Sequence, residues 1–220
     1  MHIVITGANR GIGLALCQHY LSKESTKVTA LCRQSSTELE ATGAKIIEGI
    51  DVADTASLAA LGHYFENQNI DLLINNAGIL RTESLSAMDF ETIQAQFTVN
   101  AIAPLAISHA LLHKFTANAK IALITSRMGS IADNGSGGYY GYRMSKAALN
   151  AAGKSLALDL KPKGISVAIL HPGFVQTDMV GGNGDISAAQ AASRLAARIE
   201  GLNLNNTGSF WHSNGELLPW

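Results

Sequence analysis

The chain has 220 residues, 47% of them apolar, and a formal net charge of -1. That length and apolar share suit a single globular domain spanning residues 1–220, with its own core. The near-neutral charge offers no basic stripe for a phosphate backbone, and no segment approaches the ~20 apolar residues of a membrane span, so neither nucleic acid nor membrane is expected as a partner.

The chain opens MHIVITG, with no basic stretch and only a short apolar run, which is unlike a secretory leader. A cytoplasmic location is expected. HIVIT (2–6) reads as a buried strand, and TGANRGIG (Thr6 to Gly13) follows it and opens a helix, GLALCQHYLSK. Glycine after a strand permits a tight turn and close backbone approach, and the helix N-terminus offers free N–H groups to a diphosphate. Gly7, Asn9, Arg10, Gly11, Ile12 and Gly13 are therefore candidate nucleotide-binding residues. Cys17 and Cys32 stand fifteen positions apart without a CxxC or metal-ligand pattern, so buried free thiols are expected.

KVTALC (27–32) reads as the second strand and ends in Arg33, with no carboxylate at the place that would favour a free ribose 2'-hydroxyl. Arg33 and Arg10 suit a 2'-phosphate through charge-assisted, forked hydrogen bonds, which favours NADPH over NADH. AKIIEGI (44–50) leads to Asp51-Val52, suited to adenine, and a helix is expected over SLAALGHYFENQ. DLLIN (71–75) leads to Asn76-Ala77-Gly78, small residues that let the backbone approach a ribose. One long helix is expected from Asp89 to Phe115, then a strand at KIALIT (120–125), a helix at SKAALNAAGKSLALDL, and a strand at SVAIL (166–170).

Nearly continuous apolar strands alternating with helices indicate an α/β fold, a three-layer, doubly wound parallel sheet of the Rossmann type with ligands beyond the strands' carboxyl ends. Seven histidines form neither HxH nor HExxH; His109 and His113 lack a third ligand, so no metal is expected.

The order of TGxxxGxG, Asp51-Val52, NNAG, Asn100, Ser126, Tyr142-x-x-x-Lys146 and PGxVxTDM resembles the short-chain dehydrogenase/reductase family over nearly the whole chain. The short length and the ending TGSFWHSNGELLPW resemble its compact branch of sniffer-like carbonyl reductases and C-factor-type proteins. Of the three tyrosines in GGYYGYRMSK, only Tyr142 has a lysine four positions on, one helical turn away.

The resemblance implies hydride transfer from NADPH to an aldehyde, ketone or quinone, with Tyr142 donating the proton and Lys146 lowering the phenol's pKa and holding the nicotinamide ribose. It implies that Ser126 bonds the substrate oxygen and that Asn100 positions a water behind the lysine. Pro172, Gly173, Val175 and Thr177 match the segment against the nicotinamide. Ser130 is a rival to Ser126, nearer the family's spacing from the tyrosine; Ser126 is preferred because it directly ends its strand. Expected substrate walls are Arg127, Met128, Tyr139, Tyr140 and a small flexible lid, MVGGNGDISAA. The alanine-rich helix from Ser145 to Leu160 is expected to pair with a second copy in a homodimer or homotetramer. The alternative to an enzyme is an NAD(P)H-binding regulatory protein of C-factor type with little turnover. A sugar epimerase or dehydratase is disfavoured, because the roughly 40 residues after Thr177 leave little room for a substrate domain.

Overall fold

The computed structural model describes residues 1–66 and 68–220, save the side chain of Thr55. Seven strands form one sheet: β1 (His2–Thr6), β2 (Lys27–Leu31), β3 (Lys45–Ile47), β4 (Ile70–Asn75), β5 (Phe115–Ile124), β6 (Ser166–His171) and β7 (Phe210–His212). Their order is β3-β2-β1-β4-β5-β6-β7, and every neighbouring pair is parallel. The order reverses between β1 and β4, and a crevice opens there beyond the strands' carboxyl ends.

The helices are α1 (Gly11–Leu21), α2 (Thr37–Glu40), α3 (Thr55–Leu58), α4 (Phe90–Phe97), α5 (Ala103–Ala110), α6 (Tyr140–Leu160) and α7 (Ala188–Glu200). Side chains alternate across each strand, so the sheet feeds two cores. Ile3, Ile5, Leu72 and Ile74 pack with Leu16 of α1 and Leu195 of α7 on one face. Val4, Leu73 and Ile121 pack with Ile107 of α5 and Leu149 of α6 on the other. This is the three-layer, doubly wound arrangement expected from the sequence.

Several boundaries differ from expectation for physical reasons. The single helix expected from Asp89 to Phe115 is two, joined by a π-helical turn at Thr98–Ile102. Pro104 lies in the first turn of α5 and has no N–H to give the preceding turn, so the ladder loosens where Asn100 points inward. The segment SLAALGHYFENQ holds the end of α3 and a 3-10 turn, Leu61–Phe65, in place of one helix; its Asn67 lies outside the described residues. α6 begins at Tyr140, ahead of the segment SKAALNAAGKSLALDL, and holds Tyr142 in its first turn as the expected helical spacing to Lys146 requires. α7 and β7 had no counterpart in the sequence reading. α7 starts with a capping box in which Ser187 and Gln190 bond each other's backbone N–H, a pattern written in the sequence as S-x-x-Q. β7 has only three residues and no periodicity to read.

Candidate active site

A cavity of about 600 Å³ opens at the carboxyl ends of β1, β2, β4, β5 and β6. At its outer end the glycine loop lies directly against the loop after β4. A side chain at Gly7 would place Cβ 2.9 Å from the Ala77 Cα, and Gly7 has φ of 63°. A Cβ at Gly13 would stand 2.6 Å from Asn76 Nδ2 and well inside contact distance of the Gly7 carbonyl. The Thr6 hydroxyl accepts from both Asn76 N and Ala77 N at 3.0 Å, while Asn76 Nδ2 donates to the carbonyls of Thr6 (3.0 Å) and Gly7 (3.1 Å). These bonds fix a narrow cradle at the start of α1. Among the described residues no side chain caps that helix N-terminus, which leaves its first amides free for a ligand.

Gly7, Asn9, Arg10, Gly11, Ile12, Arg33, Asp51, Val52, Asn76, Ala77, Gly78, Tyr142, Lys146, Pro172 and Thr177 all line the cavity. Gly13, Asn100, Ser126, Gly173 and Val175 do not, although Gly13 and Asn100 brace residues that do. Arg33 is exposed at the end of β2, and its side chain has no hydrogen bond or ion pair among the described residues. Arg10, which the sequence set beside it, has Nη1 3.3 Å from Asp178 Oδ2 across the cavity mouth. The Glu48 carboxylate, entering from beyond β3, accepts from Ser35 N. Thus an acid does reach the loop after β2, but it is committed to that loop's backbone.

The inner end is buried. Tyr142 is 8% and Lys146 4% exposed, one helical turn apart on α6, with Nζ 5.8 Å from the centre of the phenol ring. Burial pushes the Tyr142 phenol above its ordinary value, and the Ser126 hydroxyl beside it pulls the other way. The same desolvation brings the Lys146 ammonium down to about 8. Its Nζ donates to the Ile124 carbonyl at 3.0 Å, which leaves two of its three hydrogens for other acceptors.

Asn100, fully buried, accepts at Oδ1 from Ile79 N (2.8 Å), and its Nδ2 donates to Ile79 O (2.8 Å) and Ser145 Oγ (3.0 Å). Both amide hydrogens are used, so only a second lone pair on Oδ1 remains for a water. A Cβ on Gly78 would lie 3.2 Å from Asn100 Oδ1 and 3.6 Å from Lys146 Nζ, which places that oxygen and the ammonium around one glycine.

Ser126, and not Ser130, is the hydroxyl beside the phenol: Ser130 Oγ accepts from Asp133 N at 3.1 Å within the loop after β5. Arg127 pairs with Asp133, and neither it nor Met128, Tyr139 or Tyr140 lines the cavity. Of the expected substrate walls, the segment after Thr177 reaches the cavity through Met179, and Ile79, Gln176 and Asp178 line it as well. The segment expected as a small flexible lid is joined to the residues before it by bonds from Gln176 N to Ile186 O (3.0 Å) and from Asp185 N to Phe174 O (2.8 Å). Sequence reasoning also missed the polar seam beneath the site. Thr125 Oγ1 donates to Asn150 Oδ1 (2.7 Å), and Asn150 Nδ2 to Gly129 O (3.3 Å), locking the loop after β5 onto α6. Asn150 lies four residues beyond Lys146 on the same helix face, the one local signal that pointed to it.

Among the described residues no three His, Cys, Asp or Glu side chains gather as a metal site, and no helix is long and apolar enough to cross a membrane.

A parallel sheet with a glycine cradle at its reversal point and a buried Ser, Tyr and Lys beside it defines a nucleotide-dependent oxidoreductase of the short-chain dehydrogenase kind, and the chain belongs to that family: the short chain dehydrogenase pattern matches residues 1–186. Among its relatives, 1-hydroxy-2-glutathionyl-2-methyl-3-butene dehydrogenase of Rhodococcus sp. (strain AD45) is 34% identical over 224 residues, covering 99% of each chain. C-signal of Myxococcus xanthus is 42% identical over 154 residues, covering 69% of this chain and 93% of that one. Among solved structures, the NADPH-bound carbonyl reductase from chicken fatty liver superposes with a TM-score of 0.89 at 30% identity, covering 100% of this chain and 98% of that one. Carbonyl reductase Sniffer of D. melanogaster gives 0.90 at 29%, covering 100% and 99%.

Proposed function

We propose that the protein is an NADPH-dependent reductase that converts an aldehyde, ketone or quinone to an alcohol, with Tyr142 as proton donor. The observation that carries this reading is one continuous cavity with a glycine cradle at its outer end and a buried phenol, with a serine hydroxyl and a lysine beside it, at its inner end. The residues fit a dinucleotide. The start of α1 and its glycines would receive the diphosphate, Arg33 the 2'-phosphate, Asp51 and Val52 the adenine, and Asn76, Ala77 and Gly78 the adjoining ribose. Pro172 and Thr177 would flank the nicotinamide.

When bound, the cofactor supplies the hydride. Tyr142 gives its proton to the substrate oxygen, and the upward push of burial keeps the phenol protonated near neutrality, which suits reduction. Ser126 donates a hydrogen bond to the same oxygen as negative charge gathers there. Lys146 offers its remaining hydrogens to the ribose hydroxyls and its charge to the phenol. Asn100 holds Ile79 and Ser145 around the lysine, and its free lone pair is the place for a water that resupplies the proton.

α6 leaves Met144, Ala151 and Leu158 exposed at seven-residue spacing, a single stripe along the helix. This supports a dimer or tetramer through α6, which light scattering checks. The test of activity follows the absorbance of NADPH and of NADH with aldehydes, diketones and quinones, and the reverse reaction with alcohols. The glutathione-conjugated alcohol class named for the Rhodococcus relative belongs in that panel. Tight NADPH binding without turnover on any substrate would overturn the reductase reading in favour of a regulatory nucleotide-binding role, the reading that the likeness to C-signal supports.

A further inference from the structure

Glu83 lies between β4 and α4 and does not line the cavity, yet it is only 4% exposed. Its Oε1 accepts from the Thr92 hydroxyl (2.9 Å) and from Gln96 Nε2 (2.6 Å), and its Oε2 accepts from Gly141 N (3.0 Å). Its backbone carbonyl accepts from Tyr139 N at 3.0 Å. Gln96, fully buried, in turn accepts from Arg81 N at 2.9 Å. Among the described residues no lysine or arginine pairs with Glu83; the N-terminus of α6 supplies the compensating partial charge.

The contact is too close for any side chain at Gly141, whose Cβ would stand 2.5 Å from Gln96 Nε2 and 2.9 Å from the Ile93 Cα. The chain enters α6 through Gly137, Gly138 and Tyr139, all left-handed, with φ of 65°, 64° and 50°. Glu83 therefore grips the two amides that flank Tyr140, with its backbone on one and its carboxylate on the other. Tyr142 is the next residue after the second of them.

We propose that Glu83 is a positioning residue for Tyr142: it fixes the first turn of α6 so that the phenol is held beside Ser126. This rests on the reading of Tyr142 as proton donor. The residue type follows from the count of donors. Three hydrogens converge on the carboxylate, and an amide in its place would turn an NH2 toward either the Gly141 amide or the Gln96 amide. Glu83→Gln thus breaks one link with almost no change of volume. Adding Gln96→Glu restores an acceptor opposite the new NH2 and still accepts from Arg81 N.

The test uses protein labelled with carbon-13 at the hydroxyl-bearing carbon of its five tyrosines, with the Tyr142 signal assigned through Tyr142→Phe. Glu83→Gln is expected to move the Tyr142 signal and leave those of Tyr20 and Tyr64 in place. It is expected to lower kcat about tenfold or more while NADPH affinity stays within about twofold. The Glu83→Gln/Gln96→Glu pair is expected to recover most of both, and Thr92→Val, which removes a single donor, to give a smaller shift of the same kind. An unmoved Tyr142 signal in both Glu83→Gln and Thr92→Val overturns the proposal. So does a general shift of all tyrosine signals with a lowered melting temperature, or a loss that the paired variant does not recover. If the wild type turns over no carbonyl but the Tyr142 signal still responds as described, the reductase reading falls and the positioning stands.

Discussion

The two ends of the cavity are built on opposite principles. At the outer end, where the proposed function places the nucleotide, the charged groups Arg10, Arg33 and Asp51 are exposed, and the shape comes from glycine backbone. At the inner end, where the proposed function places the reaction, Asn100, Ser126, Ser145, Lys146 and Asn150 are buried and joined by hydrogen bonds to one another or to the backbone around them. Screened charge at the first end can adapt to a ligand at small cost, whereas a desolvated network at the second must be complete before anything binds. Recognition and chemistry should therefore separate under mutation: inner substitutions should act on kcat, outer ones on cofactor affinity.

The largest expected effect is at Tyr142. Tyr142→Phe should lower kcat by about 10³-fold with the NADPH Kd nearly unchanged, checked by steady-state rates and fluorescence titration. Next is Lys146, whose ammonium is lost as pH rises through about 8. Reduction measured as kcat/KM should fall above that pH, and Lys146→Arg, which stays charged, should remove that limb of the profile. Ser126→Ala should lower kcat by about 10²-fold while Ser130→Ala leaves it within about threefold; equal effects would undo the assignment of the hydroxyl.

At the other end, Arg33→Ala should raise the KM for NADPH about tenfold, leave that for NADH unchanged and reduce the salt dependence of binding. A matched loss with both cofactors would break the comparison. The smallest effect concerns stability. His171 is half-buried, and desolvation of its ring, helped by the neighbouring His212, holds it down to about 3, so below its unfolded value near 6.5 the unfolded chain takes up the proton that the folded one refuses. Stability present above pH 6.5 is lost as pH falls toward 3, and His171→Asn should flatten that fall in melting temperature.

What the sequence made legible was local. The glycine loop follows its strand directly, and Tyr142 and Lys146 sit one helical turn apart in an order of motifs that resembles the family, which is what singled them out. The sheet followed from runs such as HIVIT and KIALIT. What it hid was set by distance or by competition between local rules. The Glu83–Gly141 bond spans 58 positions, and no pattern of residue types announces it. The break at Asn100 arises because Pro104 withholds a donor from an otherwise helical stretch, and β7 exists because Ile169 of β6 leaves an edge that Phe210 can cover. Four of the expected substrate walls lie outside the cavity for a similar reason, while Met179 of the segment after Thr177 does line it: closeness in sequence to Tyr142 did not bring Tyr139 or Tyr140 there. Arg127, bound to Asp133, was spoken for elsewhere.

Tyr139 carries one more implication. Of the three successive left-handed residues before α6 it alone has a Cβ, and an L-residue in that conformation is disfavoured by about 1–2 kcal/mol. A third glycine would remove that penalty and give the hinge three unbranched links, with far more ways to be misfolded. The tyrosine narrows the denatured ensemble but by itself prefers the opposite handedness, so the turn must be held left-handed from outside, by the bond from Tyr139 N to the Glu83 carbonyl, in a residue that does not line the cavity.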